Sequence, residues 1–304
     1  MTYNVRYFAH AMKGLCSTQR GMRLIAEGLA GLPELPHVVG LQEVETRSMR
    51  ASPSHERGGR TQLETFMSRL DTALAAANRS ERYVGYYFPA HEYRLGAAKF
   101  YTTGLAVLVL DGFQLDETHP AVPHDITHRK YRLTAKVKQT RICAHVRVHD
   151  EAGQSFDVFN THLSLPALFS TPRTGGKGRM GYGPNQLEEV EALTRFISER
   201  ASSDRFVVMG DFNALPGSPV YTRMLEQLEV RDTFAEHVEL DTDTLRKDWP
   251  TCGFAHLRMR LDHLFAGPGL EVAGMEHTHA FGDRAGRWHG LSDHVPIVAQ
   301  LAVR

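Results

Sequence analysis

The sequence predicts a mixed α/β fold in which helices pack on β-sheet, and two patterns indicate this class. Short apolar runs typical of buried strands recur from one end of the chain to the other. Between some of these runs lie segments whose apolar residues return at helical spacing. We find no internal repeat and no linker rich in Pro, Gly or Ser. We therefore expect a single domain over residues 1–304.

The predicted strands or hairpin arms follow the apolar runs. In chain order they are His37–Val44, Gly104–Leu110, Arg132–Val148, Phe156–Leu163, Phe206–Asn213, Leu261–Ala266 and Val295–Val303.

Three helices are predicted between these strands. The first begins at Thr61-Gln62-Leu63-Glu64, a capping box in which the Thr and Glu side chains each bond the other residue's backbone N–H. The second carries an apolar stripe over Leu187–Ile197, and the third begins at Ser218 with Pro219 in the first helical position. We interpret the apolar stripes as core faces.

Charge and cysteine content argue against several protein classes. Lys plus Arg (35) equals Asp plus Glu (35), so no overall field draws the chain toward nucleic acid or an anionic membrane. No apolar run approaches the roughly 18 residues of a membrane-spanning helix. Three widely spaced cysteines argue against a disulfide framework or structural zinc and predict a reducing compartment, the cytoplasm. Asn4 lies in the opening run Thr2–Arg6, which we interpret as a further strand before those already given. An upstream targeting segment that has been trimmed therefore stays open.

Polar side chains stand at the ends of the predicted strands, out of keeping with the apolar runs beside them. They are Asn4, Glu43, Asn160, His162, Asp211, Asn213, Asp262, His263, Ser292, Asp293 and His294. Taken singly, a strand-end Asp is most often a turn residue, and a lone His is most often a satisfied core or surface residue. So many polar groups beside buried strands are better explained together, as a site.

The pair Asp211 and Asn213 is the most informative part of this set. It follows the apolar run Phe206–Met209 across Gly210. Residues i and i+2 of an extended segment point the same way, so the two side chains would aim at one point. The glycine leaves room for backbone or a ligand to approach. The pair therefore either stabilises a loop or takes part in a reaction.

The chemical composition of the set favours metal-assisted chemistry on a phosphate. It holds carboxylates, carboxamides and histidines, and no thiol or hydroxyl paired with a base. Oxygen donors suit a hard divalent cation such as Mg²⁺, and histidine can move a proton near neutrality. Zinc is less favoured because the spacings His-Glu-x-x-His and Cys-x-x-Cys do not occur. A serine hydrolase is less favoured because Ser292 lacks a Gly-x-Ser-x-Gly elbow.

Six motifs in one order carry a resemblance to a known family. They are Thr2-Tyr3-Asn4-Val5-Arg6, Gly40-Leu41-Gln42-Glu43-Val44, Asn160-Thr161-His162-Leu163, Gly210-Asp211-Phe212-Asn213, Leu261-Asp262-His263 and Ser292-Asp293-His294. Together they closely resemble the endonuclease/exonuclease/phosphatase superfamily of DNase I-like enzymes, from residue 2 to residue 298. The resemblance implies an α/β (α+β) fold, a four-layer α/β/β/α sandwich of two packed mixed β-sheets with helices outside. The site would lie at one end of the sandwich.

The resemblance also implies a role for each matching residue. Glu43 resembles the principal Mg²⁺ ligand, with Asn4 and Asp293 completing the shell and Mn²⁺ able to substitute. Asp211 resembles the residue that orients or deprotonates the attacking water, and Asn213 the residue that holds the phosphate.

Three further positions match residues that act on protons and charge. His294 would stabilise the phosphorane or act as general base, and Asp262 would fix this histidine in place. His162 would stabilise the transition state or protonate the leaving oxygen. Which of Asp211, His162 and His294 takes the first proton stays open at this point.

Two basic segments directly follow strand ends of this set. We interpret Thr46–Arg60 as a solvated loop and Pro166–Asn185, rich in glycine and without any acid, as a substrate-facing loop. The residues expected to bind substrate are Asn160, Arg173, Lys177 and Arg179.

Several positions depart from the patterns of particular relatives. Exonuclease III-type nucleases commonly have Tyr where this chain has His162, and Leu105 occupies a position that is often Asn. Gln186 matches the family pattern, whereas the Arg that usually precedes it is displaced to Arg179. These departures bear on the substrate rather than on the reaction type.

The sequence therefore predicts a Mg²⁺-dependent hydrolase of phosphoric esters. The leading hypothesis is a phosphodiesterase that acts on a nucleic acid or nucleotide by metal-assisted in-line attack of water on phosphorus. The alternatives are a phosphatase or phosphodiesterase of a small phosphorylated metabolite or phospholipid head group, and an inactive binding module on the same fold. The sequence indicates no obligate protein partner.

Overall fold

The computed structural model of the protein describes residues 1–9, 18–45, 61–95, 98–116, 123–128, 140–166, 179–254, 257–276, 281 and 286–304. The helices in these ranges are α1 (Thr18–Ala30), α2 (Gln62–Ala76), α3 (Pro184–Arg200), α4 (Pro219–Leu228), α5 (Thr233–Val238) and α6 (Thr242–Asp248), with a short 3-10 helix at Arg6–Phe8. The strands are β1 (Thr2–Asn4), β2 (Val38–Val44), β3 (Tyr83–Leu95), β4 (Ala98–Leu110), β5 (Gln114–Leu115), β6 (His124–Asp125), β7 (Ile142–His149), β8 (Ser155–His162), β9 (Phe206–Asp211), β10 (Arg231–Asp232), β11 (Cys252–Phe254), β12 (Leu257–Met259), β13 (Asp262–Ala266), β14 (Leu270–Met275) and β15 (Ala299–Val303).

Two mixed sheets form the centre of the described structure. The smaller has the order β1-β2-β4-β3, and the larger has the order β10-β13-β9-β8-β7-β5, with β6 also paired to β7. Strand β1 runs parallel to β2, and β8 runs parallel to β9. The pairs β11–β12 and β14–β15 form separate antiparallel ribbons.

Three apolar clusters stack these sheets and the larger helices into four layers. Helices α1 and α2 cover the outer face of the smaller sheet, where Ile25 and Phe66 are buried. Helices α3 and α4 cover the outer face of the larger sheet, where Leu193 and Met224 are buried. The third cluster fills the space between the sheets. This arrangement confirms the predicted four-layer sandwich.

The helix starts predicted from local signals are confirmed. Thr61 Oγ1 accepts from Glu64 N at 3.2 Å, and Glu64 Oε2 accepts from Thr61 N at 2.6 Å, which completes the capping box. Ser218 caps α4, with Pro219 at its first position. Within the described ranges, no helix combines the length and the apolar character that a bilayer crossing needs.

Some predicted boundaries were wrong, for identifiable reasons. Strand β15 begins at Ala299 instead of Val295, since Pro296 cannot donate a ladder hydrogen bond. Strand β9 ends at Asp211 because Asn213 has a left-handed backbone, with φ of 47°. For the predicted strand Arg132–Val148, the structure gives β7 from Ile142 to His149, and residues 132–139 lie outside the described residues.

A buried carboxylate joins β7 and β8 to the segment after α3. Asp157 Oδ1 accepts from His145 Nε2 at 2.7 Å and from Arg147 Nε at 3.0 Å. Asp157 Oδ2 accepts from the backbone N–H and the hydroxyl of Ser202 at 2.8 and 2.7 Å. Burial by itself would raise the pKa of Asp157, but the hydrogen bonds from His145, Ser202 and Arg147 outweigh it and lower the pKa to about 2.

The Asp157 network predicts a pH-dependent loss of stability. Asp157→Ala should lower the free energy of unfolding by about 3–5 kcal/mol at neutral pH, because it leaves buried donors without their acceptor. The folded-state pKa of about 2 lies below the ordinary value of 3.8. The stabilisation should therefore be complete above about pH 5 and fall progressively toward about pH 2. Urea denaturation at several pH values measures it.

The exposed Glu151→Ala variant is the matched control and should change stability by less than about 0.5 kcal/mol. The free energies of unfolding of wild type and Asp157→Ala could instead differ by the same amount from neutral pH to pH 2. That result would show that the carboxylate charge is not the cause of the stabilisation.

Candidate active site

The candidate site lies at one end of the sandwich, where β1 and β2 of the smaller sheet meet β8, β9 and β13 of the larger. Parallel pairing aligns the carboxyl ends of β1 with β2 and of β8 with β9. Strand β1 lies against β9 and β13 of the opposite sheet. The polar residues that follow these strands are therefore brought together.

Two of the expected site residues have a left-handed backbone conformation, which sets the direction of their side chains. Gln42 pairs with Leu105 and Val44 pairs with Gly104, so Glu43 is an extra residue in a β-bulge, with φ of 58°. Asn213 has φ of 47° just beyond the end of β9. Positive φ is uncommon for residues other than glycine. Glu43 and Asn213 both adopt it, at the same end of the fold.

Gly210 determines how closely β9 approaches β8 beside the site. It has φ of 150°, and a Cβ placed on it would lie 2.0 Å from the carbonyl oxygen of Thr161. No other residue fits there without moving the strand. The next residue, Asp211, pairs in register with His162 on β8 and with Asp262 on β13. Three polar residues thus lie side by side on adjacent strands.

Asp211 is at the centre of the hydrogen-bond network. Its Oδ1 accepts from the backbone N–H of Asn213 at 2.9 Å, and its Oδ2 accepts from Asn4 Nδ2 at 3.0 Å. The same Oδ2 lies 3.5 Å from His162 Nε2 and 3.8 Å from His294 Nε2. Groups from four separate segments of the chain therefore converge on one carboxylate.

Burial and charge give the carboxylate and the two histidines different protonation behaviour. Burial raises the pKa of Asp211, which His294 counteracts and Asp262 reinforces, to about 7. Burial lowers the pKa of His294, but Asp262 and Asp211 outweigh this and raise it to about 10. Burial, with the charges of Arg141 and His294, lowers the pKa of His162 well below its ordinary value. These shifts favour the charged form of His294 and the neutral form of His162.

A relay of three side chains orients His294. Its Nδ1 donates to Asp262 Oδ2 at 2.8 Å, which turns Nε2 toward Asp211. Asp262 Oδ2 also accepts from the Thr251 hydroxyl at 2.7 Å. Thr251 Oγ1 in turn accepts from the backbone N–H groups of Leu261 and Asp262, at 3.0 and 3.1 Å. The buried hydroxyl therefore fixes both the strand end and its carboxylate.

Asn213 lies between the carboxylate and His162. Its amide nitrogen donates to the carbonyl of Leu163 at 2.9 Å and lies 3.3 Å from His162 Nε2. The backbone carbonyl of Asn213 accepts from Gln186 Nε2 at 2.8 Å. Gln186 Oε1 accepts from the backbone of Gly181 and Gly183, so this glutamine ties the Asn213 loop to the start of α3.

Two of the strand-end polar residues lie outside this network. Asn160 was expected to bind substrate, but its fully buried carboxamide accepts from Gln42 Nε2 at 2.6 Å and donates to the carbonyls of Leu41 and Ala106. It joins the two sheets, and this geometry leaves it no contact with substrate. His263 lies between Asp232 Oδ2 at 3.0 Å and the carbonyl of Ala214 at 2.9 Å, as a core brace.

The whole site is contained in one sequence-family match. The profile of the Endonuclease/Exonuclease/phosphatase family matches residues 1–294. The chain belongs to this family. Its members are phosphoesterase hydrolases, so this protein is a phosphoesterase.

Solved structures of family members share the fold of this phosphoesterase. An endonuclease/exonuclease/phosphatase family protein from Leptotrichia buccalis C-1013-b has 18% identity and a TM-score of 0.62, over 99% of this chain and 98% of that chain. The mannosyl-6-phosphatase Bt3783 of Bacteroides thetaiotaomicron VPI-5482 has 16% identity and a TM-score of 0.62, over 99% and 98%. The human Nocturnin catalytic domain with bound sulfate has 18% identity and a TM-score of 0.59, over 99% and 93%. A comparison with curated proteins gives no match.

The family is generally dependent on a divalent metal ion, and the donor set here fits one. Asn4 Nδ2 lies 3.3 Å from Glu43 Oε1, and the carbonyl of Asn4 accepts from Ser292 Oγ, beside Asp293, at 2.7 Å. Glu43 and Asp293 are half-buried. Carboxylate oxygens with access to water are the ligands that Mg²⁺ prefers.

A second group of potential ligands has a different explanation. The ligand atoms of Asp211, Asp262 and His294 lie within 4.8 Å of one another. However, Asp262 and His294 already share a hydrogen bond of 2.8 Å. We interpret this group as a chain of hydrogen-bonded side chains that carries protons, beside the residues expected to hold the metal ion.

The basic loops are only partly within the described residues. Arg179 is exposed, and its guanidinium carbon lies 4.7 Å from the ring centroid of Tyr182, next to the loop that holds Asn213. Arg173 and Lys177 lie outside the described residues, as does the whole segment 46–60. Their expected roles stay predictions.

The structure also brings three residues into the site that sequence reasoning did not assign. Thr251 holds Asp262, Arg141 lies near enough to His162 to lower its pKa, and Arg6 binds Asp293. Thr251 and Arg141 follow no motif, so no local signal could have found them. Arg6 belongs to the first motif, but the family resemblance implied no role for it.

The relay predicts that Thr251 contributes to catalysis through Asp262. Thr251→Val should lower kcat about tenfold or more, because Asp262 loses a buried hydrogen bond and His294 loses its fixed orientation. Thr251→Ser keeps the hydroxyl and should retain most of the activity. Hydrolysis of bis(p-nitrophenyl) phosphate with Mg²⁺ measures both variants. Equal rates for the two would rule out this role of the hydroxyl.

Proposed function

We propose that this phosphoesterase is a Mg²⁺-dependent phosphodiesterase in which Asp211 takes a proton from the attacking water. The observation that carries the proposal is the environment of Asp211, a buried carboxylate that accepts from Asn4 Nδ2 at 3.0 Å and lies 3.5 and 3.8 Å from the Nε2 atoms of two histidines. Burial also raises its pKa. A general base is most effective when its pKa lies near the working pH. His162 is too weak a base for this step, and His294 already carries its proton.

The remaining side chains bind and stabilise the phosphoryl group. As Asp211 accepts the proton, the water oxygen bonds to phosphorus and the ester oxygen departs on the opposite side, taking a proton from solvent. The imidazolium of His294 and the neutral ring of His162 face the growing charge on the phosphoryl oxygens. The N–H of the Asn213 amide that faces His162 would turn to hold one of these oxygens, while the other N–H stays bonded to the carbonyl of Leu163. A divalent cation held by Glu43, Asn4 and Asp293 would neutralise phosphoryl charge.

A nucleotide or nucleic acid is the proposed substrate class. Arg179 and Tyr182 supply a cation and an aromatic face beside the Asn213 loop, and these groups suit a phosphate and a stacked base. The net charge of zero favours a nucleotide or a short strand over a long duplex.

A small phosphorylated metabolite is the second candidate, and the electrically neutral chain favours it. The fold of this chain is similar to that of a mannosyl-6-phosphatase over nearly the whole of both chains.

A substrate panel separates the candidate classes. It contains single- and double-stranded DNA, RNA, mononucleotides, sugar phosphates, sphingomyelin and inositol phosphates, each with Mg²⁺ and with EDTA. If the protein hydrolyses no substrate in the panel with Mg²⁺ or Mn²⁺, the result would support the inactive binding module instead.

The role of Asp211 predicts a separation of activity from stability. Asp211→Asn should lower kcat about a thousandfold or more, because no other group in the site can take the first proton. The melting temperature should change little, since Asn keeps the shape of the Asp side chain and removes a charge that burial disfavours. Initial rates and thermal melts measure the two effects, with the exposed Asp71→Asn as control. A variant with the wild-type rate would remove Asp211 from the mechanism.

The substrate-facing loop predicts a charge effect on binding. Neutralising Arg173, Lys177 and Arg179 together should raise KM for an anionic substrate about tenfold at low ionic strength and flatten its salt dependence. The control neutralises three exposed arginines elsewhere, Arg69, Arg82 and Arg195. Equal kinetics in the two triple variants would make Pro166–Asn185 an ordinary solvated loop.

A further inference from the structure

We propose that Arg6 is a substrate-binding residue that grips the phosphate while Asp293 holds its guanidinium in place. The inference rests on the proposed function, because it assigns a further contact within the same site. It is carried by the backbone around Arg6, by the position of its side chain and by the charges it faces.

The backbone at Arg6 is held in a rare conformation. Arg6, Tyr7 and Phe8 have φ of 43°, 55° and 57°, so three successive non-glycine residues lie in the left-handed region. Such conformations persist only where the surroundings enforce them, and they cluster at functional sites. A turn of this kind directly after β1 sets the direction in which the Arg6 side chain leaves the backbone.

Packing from several sides enforces the turn. Phe8 is fully buried, with its ring centroid 4.9 Å from that of Phe66. The carbonyl of Tyr7 accepts from Gln62 Nε2 at 3.2 Å. A Cβ on Gly21 of α1 would lie 2.0 Å from the carbonyl oxygen of Phe8, so α1 closes tightly over the turn. Residues outside the site thus maintain the turn that carries Arg6.

Arg6 contacts two of the three residues expected to hold the metal ion. Its Nη1 lies 2.7 Å from Asp293 Oδ2, and its backbone N–H donates to Asn4 Oδ1 at 3.0 Å. Asn4 Nδ2 then donates to Asp211 Oδ2 at 3.0 Å. Arg6 is therefore only one residue away from the proposed base.

The ion pair leaves the guanidinium partly exposed beside the site. The Arg6 side chain is 40% exposed, whereas that of Asp293 is 18% exposed. An ordinary pair at the surface contributes little stability and gives no reason to hold a strained turn. A guanidinium carries five N–H donors in a planar fork that matches two phosphate oxygens. Asp293 binds the guanidinium at Nη1, and a planar fork of this kind can bind a carboxylate and a phosphate at the same time.

Phosphate binding and simple bracing of Asp293 have opposite consequences for metal binding. If Arg6 only braces Asp293, its loss weakens the binding of a divalent cation. If Arg6 acts as a phosphate contact, its loss removes a positive charge from beside the metal site. Metal binding then stays the same or becomes tighter, while phosphate binding weakens.

Titration calorimetry can measure both affinities in the purified full chain. For Arg6→Met, the Kd of inorganic phosphate for the Mn²⁺-loaded protein should rise about 10- to 100-fold, as for loss of a charge-assisted hydrogen bond. The Kd of Mn²⁺ alone should not rise. Arg6→Lys keeps the charge but loses the fork and should give an intermediate phosphate Kd.

Arg23→Met is the matched control, because Arg23 is 52% exposed on α1 and paired with Glu27 at 2.8 Å. It should leave both Kd values within about twofold. Arg6→Gln, which can still donate to Asp293, takes the place of Arg6→Met if circular dichroism shows that the Met variant is unfolded. A phosphate Kd within twofold of wild type, or a weakened Mn²⁺ Kd alone, overturns the proposal.

The role of Arg6 and the proposed function can be contradicted independently of each other. A wild-type protein that binds phosphate but hydrolyses no ester in the panel would contradict the proposed function, and the phosphate titrations would still decide the role of Arg6. A wild-type protein that hydrolyses the panel while Arg6→Met binds phosphate normally would contradict only the role of Arg6.

Discussion

The burial of the Asp211 carboxylate is the constraint on which the rest of the site depends. A carboxylate without water is destabilised in its charged form, so its neighbours decide how it is used. Asn4 and the backbone of Asn213 donate to it, and His162 and His294 lie 3.5 and 3.8 Å away. These opposing influences bring its pKa to about 7. The raised pKa of Asp211 is what the proposed role in proton transfer needs.

Strand register extends this constraint to residues that are far apart in the sequence. Asp211 pairs with His162 on one side and Asp262 on the other. Asp262 then fixes His294, and Thr251 fixes Asp262, through hydrogen bonds of 2.8 and 2.7 Å. Because each group is held by the next, the orientation of His294 depends on a hydroxyl that does not reach the reacting atoms. The larger sheet thus acts as the frame for proton handling.

The residues proposed to bind the metal ion and those proposed to transfer the proton meet at one carboxamide, that of Asn4. Glu43 and Asn4 belong to the smaller sheet, whereas Asp211 belongs to the larger. Asn4 donates to both carboxylates, at 3.3 and 3.0 Å. The two sheets must therefore pack in one relative position for the site to form. Asn160 and Gln42 maintain that position through a direct hydrogen bond of 2.6 Å between the sheets.

The sequence by itself determined the class of fold, the helix starts at Thr61 and Ser218, and the set of polar strand ends. Each of these signals acts within a few residues of the chain. The tertiary structure decided the rest. Helix α1 was not predicted. Its Gly21 and Gly28 disfavour a helix, yet both glycines admit close contacts, with Phe8 and Trp288.

Asn160 and His162 look alike in the sequence, as polar residues two apart on one strand. Packing of the sheets buries the first in an inter-sheet brace and leaves the second beside Asp211. Thr251 gave no sequence signal, since its importance comes from Asp262 on another strand. A local pattern shows which side chains need a partner. Only the assembled sheets decide which partner each one finds, because hydrogen bonds join residues that are close in space rather than in sequence.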